Sequence, residues 1–337
     1  MSAILVTGGA GYIGSHAVRA LANLNYKVIV LDNLVYGHKQ AIVNTDVTFI
    51  EGDISDKELI LTTIRFYNIE AVMHFAAFAY VGESVLDPSK YYNNNLASAI
   101  ILLDAMLEAG CKRIIFSSTC ASYGIPVYVP IDEQHPQNPI NPYGASKWML
   151  ERIIKDYHHA YNLDYAILRY FNASGCSTDG LIGEDHDPET HLIPLILKAI
   201  TGERSAITVF GTDYETPDGT CIRDYIHVED LADAHIKAYE YLLSGKGPLI
   251  CNLGTGAGFS VNEIIQAAEK VTRKKVPVIY GEKRAGDPAI LIANTSKAFS
   301  EMAWKANYTN IEEIIATAWK WETNERNGKY RKRLFSL

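Results

Sequence analysis

The first apolar segment of the chain runs directly into a glycine-rich turn, and this turn constrains the fold more than any other feature. Residues 4–6 are followed by GGAGYIG at residues 8–14 and then by an amphipathic stretch over residues 14–24. Gly8, Gly11 and Gly14 permit a tight turn, close approach of the backbone to a pyrophosphate, and close packing of helix on strand. The N-terminus of the following helix would then face the phosphate. The spacing differs from the usual G-x-G-x-x-G pattern, and a purely structural turn is the alternative.

The second apolar run, residues 28–31, ends in an acidic residue. Asp32 follows Gly14 by 18 residues. At such a strand end a carboxylate can accept hydrogen bonds from the ribose hydroxyls of an adenosine, and it would repel a 2′-phosphate. The order of strand, glycine turn, helix, strand and acid therefore predicts NAD, rather than NADP, as cofactor. The alternative is that Asp32 only caps the turn into Asn33.

Short apolar runs alternate with longer amphipathic segments through the first half of the chain. The predicted strands are residues 4–6, 28–31, 48–50, 71–75, 113–117 and 165–169, and the predicted helices are 14–24, 56–67, 94–108 and 143–161. This alternation predicts parallel strands joined by crossover helices. We expect an α/β fold: a Rossmann-type doubly wound parallel sheet over residues 1–171, to which segments around 222–245 return, and a smaller mixed α/β lobe over residues 172–337.

Ligands of open parallel sheets bind beyond the carboxyl ends of the strands, so residues there are candidates for a binding site. Asp53 and Ile54 follow the third predicted strand, where adenine contacts would fall. The sequence HFAA at residues 74–77 ends the fourth strand with small residues that would let the backbone approach a dinucleotide. Thr119 closes a Ser/Thr run at the end of the fifth strand. Such a run can equally cap a turn.

Tyr143 precedes Lys147 by four residues inside INPYGASK, residues 140–147. On a helix this spacing puts phenol and ammonium on one face, where the cation would favour the phenolate. A tyrosine with its ordinary pKa of about 10 is a poor base at neutral pH unless positive charge lies nearby. The lysine supplies one such charge, and an oxidised nicotinamide ring would supply another. The competing interpretation is a packed ring beside a snorkelling lysine stem.

Composition and charge exclude several classes of function. The chain of 337 residues carries a net charge of −8, which leaves no basic surplus to neutralise a nucleic acid backbone. Its five cysteines are scattered and show no CxxC spacing. No apolar stretch approaches the ~18 residues that span a membrane. We expect no nucleic acid partner, no membrane partner and a cytoplasmic location.

Acidic residues and histidines are concentrated at the end of a long polar loop, residues 174–190. Loops of this length tend to be functional or to belong to a lobe that closes on a ligand. The cluster comprises Glu184, Asp185, His186, Asp187, Glu189 and His191. A metal hydrolase is one interpretation of these residue types. We interpret the cluster instead as a solvated loop and predict no metal site.

Several motifs together resemble a known family. The glycine turn, Asp32, residues 117–119 and Tyr143-x-x-x-Lys147 are similar to the extended short-chain dehydrogenase/reductase superfamily. More narrowly, YYNNN (91–95), RYFN (169–172), HLIP (191–194), DGT (218–220) and RDYIHV (223–228) resemble the UDP-glucose 4-epimerases. The resemblance covers nearly the whole chain, and the motifs match in order across both predicted lobes.

The resemblance implies an NAD-dependent epimerase acting on UDP-glucose and UDP-galactose. Tyr143 would take the proton from the sugar 4-hydroxyl as hydride passes from C4 to tightly held NAD. Lys147 would bind the nicotinamide ribose while favouring the phenolate, and Thr119 would donate or relay a hydrogen bond at the same hydroxyl. The 4-keto sugar would then rotate and accept the hydride on its other face, so that net redox is zero.

The resemblance also implies two sets of binding residues and an oligomeric state. The cofactor-binding residues are Gly8, Gly11, Tyr12, Ile13, Gly14, Asp32, Asn33, Asp53, Ile54, Phe75, Ala76, Ala77, Asn94, Tyr143, Lys147 and Phe171. The substrate-binding residues are Thr119, Asn172, His191, Leu192, Arg223, Arg284, Asp287 and Leu291. Arg223 and Arg284 would pair with the diphosphate, and a structural ion pair is the alternative for each. Relatives form a homodimer through helices that correspond to residues 96–108 and 149–161, so a homodimer is expected.

The chain departs from the family pattern at a few positions. Thr119 stands where many bacterial members have serine, but it keeps the hydroxyl. Residues 78–84 read FAYVGES where many members carry a lysine, and this stretch also resembles UDP-arabinose (UDP-xylose) 4-epimerases. Leu291 stands where some members place a bulky tyrosine, so we expect room for UDP-N-acetylhexosamines.

Two further alternatives follow from the same fold. A nucleotide-sugar 4,6-dehydratase would carry an Asp-Glu pair directly after the Thr119 position, whereas this chain has CAS at residues 120–122. Epimerisation is therefore favoured over dehydration. A non-catalytic NAD-binding protein would usually have lost the tyrosine, the lysine or the hydroxyl, and this chain keeps all three.

Overall fold

The computed structural model describes residues 3–43, 45–284, 286–324 and 328–330. The strands in this part of the chain are β1 (Ala3–Thr7), β2 (Lys27–Asp32), β3 (Thr48–Glu51), β4 (Ile69–His74), β5 (Arg113–Thr119), β6 (Asp164–Tyr170), β7 (Asn172–Ser174), β8 (Ile207–Phe210), β9 (Ile222–Arg223), β10 (Tyr225–His227), β11 (Leu249–Leu253), β12 (Phe259–Ser260), β13 (Val278–Gly281) and β14 (Ile290–Leu291). The α-helices are α1 (Tyr12–Asn23), α2 (Lys57–Tyr67), α3 (Val81–Leu86), α4 (Pro88–Tyr91), α5 (Ser98–Glu108), α6 (Pro142–Tyr161), α7 (Leu192–Thr201), α8 (Val228–Leu243), α9 (Val261–Thr272), α10 (Ser296–Met302) and α11 (Ile311–Glu322).

Seven strands form one parallel sheet in the order β11-β6-β5-β4-β1-β2-β3. The predicted fold class is confirmed, because a doubly wound sheet has this parallel arrangement with helices on both faces. The strand order reverses between β1 and β4, where connections leave the sheet in opposite directions. A crevice opens at such a switch point beyond the carboxyl ends of the strands.

Successive side chains of β1 point to opposite faces of the sheet and contribute to two hydrophobic cores. Ile4 and Val6 point into a core that includes Leu231 of α8. Leu5 points to the other face, into a core that includes Leu150 of α6. Each such buried side chain contributes roughly 1.5–3 kcal/mol relative to an exposed one. Because both faces are covered, the strands read as continuous apolar runs rather than as alternating patterns.

The later part of the chain contributes to the large sheet and also builds a separate core. β11 pairs with β6 at the edge of the large sheet. Helix α7, strand β8 and helix α9 surround another hydrophobic cluster, which includes Ile196, Val209 and Ile264. The domain boundary near residue 171 stays a prediction. Within the described ranges no helix has the length and apolarity needed to cross a membrane.

Candidate active site

The glycine turn between β1 and α1 leaves no room for a side chain at Gly8 or at Gly14. Gly8 has a φ of +72°, and a Cβ atom on it would lie 2.5 Å from the Ala76 nitrogen. A Cβ atom on Gly14 would lie 2.2 Å from the Gly8 carbonyl oxygen. Gly11 caps α1 with no side-chain hydrogen bond to the first turn. The first N–H groups of α1 are thus presented without a side-chain cap, as a phosphate-binding helix terminus requires.

Asp32 both holds the turn and faces the crevice. Its Oδ2 accepts a hydrogen bond of 2.9 Å from the Ala10 nitrogen, and its Oδ1 accepts one of 2.8 Å from the Leu34 nitrogen. Burial raises the pKa of this carboxyl, while the two backbone donors oppose the shift. The capping interpretation is therefore correct for this side chain, but it does not exclude ligand contact, because Asp32 also lines the cleft described next.

A cleft lies beyond the ends of β1, β2, β3 and β4. Ten of the predicted cofactor residues line it: Gly8, Gly11, Asp32, Asn33, Asp53, Ile54, Phe75, Ala76, Ala77 and Asn94. The lining residues that sequence reasoning missed are Leu31, Val35, Tyr36, Gly37, Gly52 and Phe78. Asn94 lies in a π-helical segment, Tyr92–Ala97, a conformation that is frequent at functional sites.

The remaining predicted cofactor residues lie outside the lining of this cleft. Tyr12 donates a 2.6 Å hydrogen bond from its hydroxyl to the Gly175 carbonyl oxygen, and Ile13 packs against the core. Gly14 provides the close approach to Gly8. Phe171 is buried in a small cluster with Tyr123.

A lysine reaches the cleft from a position that the sequence did not indicate. The Lys90 Nζ lies 4.4 Å from the ring centroid of Phe78 and donates a 2.9 Å hydrogen bond to the Tyr36 hydroxyl. Glu83 accepts a second bond of 2.7 Å from the same ammonium. Phe78 and Tyr36 both line the cleft. Positive charge therefore lies beside the cleft although residues 78–84 contain no lysine.

The predicted catalytic residues meet at the junction of β5 and α6. The Asn141 side chain caps α6 by accepting a 2.8 Å hydrogen bond from the Gly144 nitrogen. A Cβ atom on Gly144 would lie 2.5 Å from the Ala121 carbonyl oxygen, so only glycine lets α6 approach the end of β5 this closely. Thr119 is the last residue of β5, and Tyr143 lies in the first turn of α6.

Burial dominates the electrostatics of the tyrosine and the lysine. Tyr143 and Lys147 are 8% and 3% exposed. Burial raises the pKa of Tyr143, and the nearby Thr119 hydroxyl lowers it, whereas Lys147 is not among the groups that shift it. The Lys147 ammonium donates a 2.9 Å hydrogen bond to the Ser117 carbonyl oxygen. Burial lowers the pKa of Lys147 to about 7, and Glu151 opposes that shift.

A buried ion pair between α6 and β6 stabilises this junction. Arg169 of β6 and Glu151 of α6 have side chains that are 2% and 0% exposed, and the Arg169 Nη2 lies 2.6 Å from the Glu151 Oε2. The Glu151 Oε1 also accepts a 2.5 Å hydrogen bond from the Ser118 hydroxyl, next to Thr119. The pair therefore ties α6 to the ends of β5 and β6.

Three predicted substrate residues, Arg223, Asp287 and Leu291, lie where β9 and β14 pair. Leu291 lies opposite Arg223 in this ladder, and Arg223 forms an ion pair with Asp287. Leu291 also packs against the small cluster that includes Cys120, the residue after Thr119. Arg284 is exposed, and its guanidinium lies 4.0 Å from the centroid of the Phe210 ring. Arg223 therefore forms the structural ion pair that was the alternative for it. Arg284, in contrast, has no carboxylate partner among the described residues.

The other predicted substrate residues lie on β7 and at the start of α7. Asn172 donates a 3.0 Å backbone hydrogen bond to the Asp224 carbonyl oxygen. His191 is the N-cap residue of α7, and Leu192 is the first residue of that helix.

The expectation that residues 184–191 form a solvated loop is wrong for Glu184 and Glu189, although Asp187 is exposed. The side chains of Glu184 and Glu189 are only 5% and 4% exposed. The segment packs against other parts of the chain, and one such contact is the 2.9 Å hydrogen bond from the Trp321 indole to the Glu184 carbonyl oxygen. These partners come from distant parts of the sequence, so the local polarity of the segment did not predict its burial.

A doubly wound sheet, a glycine cradle at its switch point and a buried Tyr/Lys pair at its rim define an NAD-dependent enzyme of the short-chain dehydrogenase/reductase type. The profile of the NAD dependent epimerase/dehydratase family matches residues 4–254. The chain belongs to this family. The predicted NAD cofactor and the predicted enzyme class are thereby confirmed.

Similarity to individual proteins extends over nearly the full length. A UDP-glucose 4-epimerase from Lacticaseibacillus casei is 49% identical over 96% of this chain and 98% of that protein. The crystal structure of UDP-glucose 4-epimerase from Brucella ovis in complex with NAD is 50% identical, with a TM-score of 0.92 over 95% of this chain and 98% of that one. The Bifidobacterium longum enzyme in complex with NAD+ and UDP is 40% identical, with a TM-score of 0.92 over 97% of this chain and 100% of that one. The resemblance found in the motifs is confirmed.

Proposed function

We propose that this chain is a UDP-glucose 4-epimerase that interconverts UDP-glucose and UDP-galactose. The observation that carries the proposal is the meeting of Thr119, Tyr143 and Lys147 at the carboxyl end of β5, near a cleft lined by ten predicted cofactor residues. The full-length similarity to UDP-glucose 4-epimerases agrees with it. The motifs of the second lobe distinguish this function from that of a general dehydrogenase.

The glycine turn fits the cofactor, because its crowded glycines and its helix without a side-chain cap form a cradle for a pyrophosphate. Asp32 and Asn33 would hold the adenosine ribose, and Lys147 would hold the ribose of the nicotinamide. When bound, NAD accepts a hydride from the sugar C4 and returns it to the opposite face.

Tyr143 holds and moves the proton of the sugar 4-hydroxyl at its phenolic oxygen. Its pKa is raised by burial in the protein alone, so it must be lowered before the phenol can act as a base. The Thr119 hydroxyl already acts in that direction, and the positive charge of the oxidised cofactor adds to it. Thr119 also positions the 4-hydroxyl. The Lys147 ammonium is fixed by the Ser117 carbonyl, so it stays beside the tyrosine through the cycle.

The second lobe would hold the UDP portion while the sugar turns. Arg223 is buried beside the end of β5 and is already oriented by Asp287, so it is ready to meet a diphosphate. Arg284 is exposed on the same side and is free of carboxylate partners among the described residues. Asn172 and Leu192 would contact the nucleotide sugar. Tight binding of the diphosphate would keep the 4-keto sugar in the site while it rotates. The reaction requires this retention, because the intermediate must take back the hydride.

The test is to incubate the purified protein with UDP-galactose, without added NAD, and to follow UDP-glucose by chromatography. We expect interconversion by the wild type and a loss of roughly 10²–10⁴-fold in kcat for Tyr143→Phe, the range ascribed to general acid–base catalysis. The matched control is Tyr157→Phe, which removes a hydroxyl from the same helix but at a position bonded to Asp104. Equal loss in both variants, or no turnover by NAD-loaded wild type, would contradict the proposal.

The preferred sugar is a separate part of the proposal, because UDP-arabinopyranose and UDP-N-acetylgalactosamine undergo the same chemistry. Leu291 is half-buried beside the Phe171 cluster and leaves the sugar side without a large aromatic ring at this position. Turnover of UDP-N-acetylgalactosamine by the wild type, and its selective loss in Leu291→Tyr, are expected. Absence of any such turnover in an enzyme that is active on UDP-galactose would refute the role of Leu291.

A homodimer and a cytoplasmic location complete the proposal. Helices α5 and α6 pack side by side on one face of the sheet, and α6 leaves Trp148 and Met149 38% and 36% exposed. We expect a dimer by sedimentation velocity, and a monomer for Trp148→Glu combined with Met149→Glu. Phe299→Glu, at an exposed apolar residue of α10, is the control. The odd number of scattered cysteines suits a reducing compartment.

A further inference from the structure

Four side chains outside the catalytic junction converge on one point next to the start of α7. They are Glu184, His186, Glu189 and His191, and one ligand atom from each lies within 4.8 Å of the others. The His191 Nδ1 lies 2.6 Å from the Glu184 Oε1, and the His186 Nδ1 lies 3.0 Å from the same oxygen. The His186 Nδ1 lies 3.9 Å from the Glu189 Oε2.

The four converging atoms are buried, and their close ion-pair neighbours among the described residues belong to the same four side chains. The Glu184 Oε1, the Glu189 Oε2 and the Nδ1 atoms of both histidines are enclosed, and their mutual contacts are at ion-pair distance but lack hydrogen-bond angles. The side chains of both glutamates are more than nine-tenths buried. Two buried carboxylates that meet two imidazoles at poor hydrogen-bond angles are costly, and a cation bound by all four atoms would satisfy them.

A metal ion with tetrahedral coordination fits these distances. With bonds of about 2.0–2.1 Å to N and O ligands, tetrahedral geometry separates neighbouring ligand atoms by roughly 3.3 Å. Three of the separations, 2.6, 3.0 and 3.9 Å, bracket that value, and all four atoms lie within 4.8 Å of one another. Two imidazoles and two carboxylates suit zinc and the neighbouring divalent transition metals, whereas magnesium and calcium prefer oxygen ligands alone. The two carboxylate charges would be balanced by a dication.

The surrounding groups hold the ligands in place, as a metal site requires. The Glu189 Oε1 accepts hydrogen bonds of 2.7 Å and 2.9 Å from the backbone nitrogens of Thr190 and His191, which leaves Oε2 directed to the cluster. The ring of Tyr12, next to the glycine turn, lies edge-on to His186 with centroids 6.2 Å apart.

We propose that Glu184, His186, Glu189 and His191 bind one divalent transition-metal ion of the zinc type, which joins the 184–191 segment and the start of α7 to the cofactor side of the protein. Because Tyr12 starts α1 and Leu192 starts α7, the ion would fix the spacing between the phosphate end of the cofactor site and the nucleotide-sugar lobe. This role is structural and does not depend on which sugar the enzyme accepts.

The test measures metal directly in protein from which any histidine tag has been removed. The wild type is stripped with a chelator, reloaded with Zn²⁺ or Co²⁺, and analysed by mass spectrometry of the metal and by the visible absorption of Co²⁺. We expect about one equivalent per chain and the intense visible bands of tetrahedral Co²⁺, with a higher melting temperature after loading. The same measurements are made on Glu184→Gln combined with Glu189→Gln, and on Asp187→Asn, an exposed neighbour outside the cluster.

The outcomes separate a metal site from a network of ion pairs. Loss of the metal in the double variant and its retention in Asp187→Asn would support the site. Failure of the stripped wild type to bind either metal would overturn the proposal and leave only an ion-pair network. Equal metal content in the double variant would also overturn it, because the ion would then be bound elsewhere. If the double variant does not fold, the Co²⁺ spectrum of the wild type alone decides.

Discussion

The buried pair of Glu151 and Arg169 offers the sharpest test of how this fold supports its site. Glu151→Gln keeps the shape of the side chain and removes its charge. The carboxylate now serves Arg169, the Ser118 hydroxyl and, at 3.1 Å, the Gln137 amide. The amide of the variant has only one oxygen to offer, and the guanidinium, 2% exposed, is left without a counter-charge. Breaking such a pair costs about 3–5 kcal/mol in free energy of unfolding.

Asp156→Asn is the matched control, because it makes the same chemical change on the same helix. Asp156 pairs with Arg152 at 3.0 Å, but both side chains are mostly exposed, at 60% and 73%. Such a pair contributes only about 0.3–0.5 kcal/mol. Urea unfolding followed by circular dichroism, at equal saturation with NAD, gives the difference in free energy from the shift in midpoint. If Glu151→Gln costs no more than the control, the reasoning is refuted.

A double variant checks the cause of the loss. Replacing Glu151 by Leu and Arg169 by Met removes both charges, and we expect it to recover most of the stability, because the guanidinium is then no longer left buried without a counter-charge. Glu151 also opposes the lowering of the pKa of Lys147. In Glu151→Gln the lysine should therefore lose its proton at lower pH, and the alkaline limb of the kcat profile should move to lower pH. An unmoved limb would contradict this coupling.

Other predictions concern the glycine turn and the buried histidines. Gly14→Ala puts a Cβ atom 2.2 Å from the Gly8 carbonyl oxygen, so the purified variant should lose bound NAD, whereas Gly82→Ala, whose Cβ atom meets nothing within 4 Å, should retain it. Equal NAD content in the two variants would contradict the cradle. Burial lowers the pKa of His74 to about 3 and that of His235 to about 4, so both are neutral in the folded protein at pH 6. Because the unfolded chain takes up these protons below pH ~6.5, each histidine should lower the free energy of unfolding by ~1.4 kcal/mol per pH unit from there toward its folded pKa. A melting temperature that stays constant from pH 7 to pH 5 would refute this.

Much of the site was predictable because its signals are local. The glycine spacing, Asp32 at a strand end and the four-residue step from Tyr143 to Lys147 depend on backbone conformation over a few residues. Their positions relative to the large sheet then follow from the rule that ligands bind at the carboxyl ends of parallel strands. The structure places Thr119 beside the start of α6 as that rule requires.

Contacts between distant segments were not predictable in the same way. Lys90 reaches Tyr36 across 54 residues of sequence, and no local pattern indicates that pairing. The hydrogen bond from the Lys147 ammonium to the Ser117 carbonyl oxygen of β5 was likewise not indicated by the four-residue spacing, and the effect of Lys147 on Tyr143 stays a prediction. The polarity of residues 184–191 suggested solvent exposure, but Trp321 from α11 packs over the segment and contributes to its burial.

The sequence by itself determined the fold class and the cofactor, because periodicity, glycine placement and short motifs act over one or two elements of secondary structure. Its assignment of catalytic residues stays a prediction. The tertiary structure decided which charges are buried and which atoms share a partner. Arg169 with Glu151, and the four converging side chains around Glu184, acquire their chemistry only when separate segments exclude water from them. Burial is a property of the assembled chain, and it sets the strength of every electrostatic interaction at these sites.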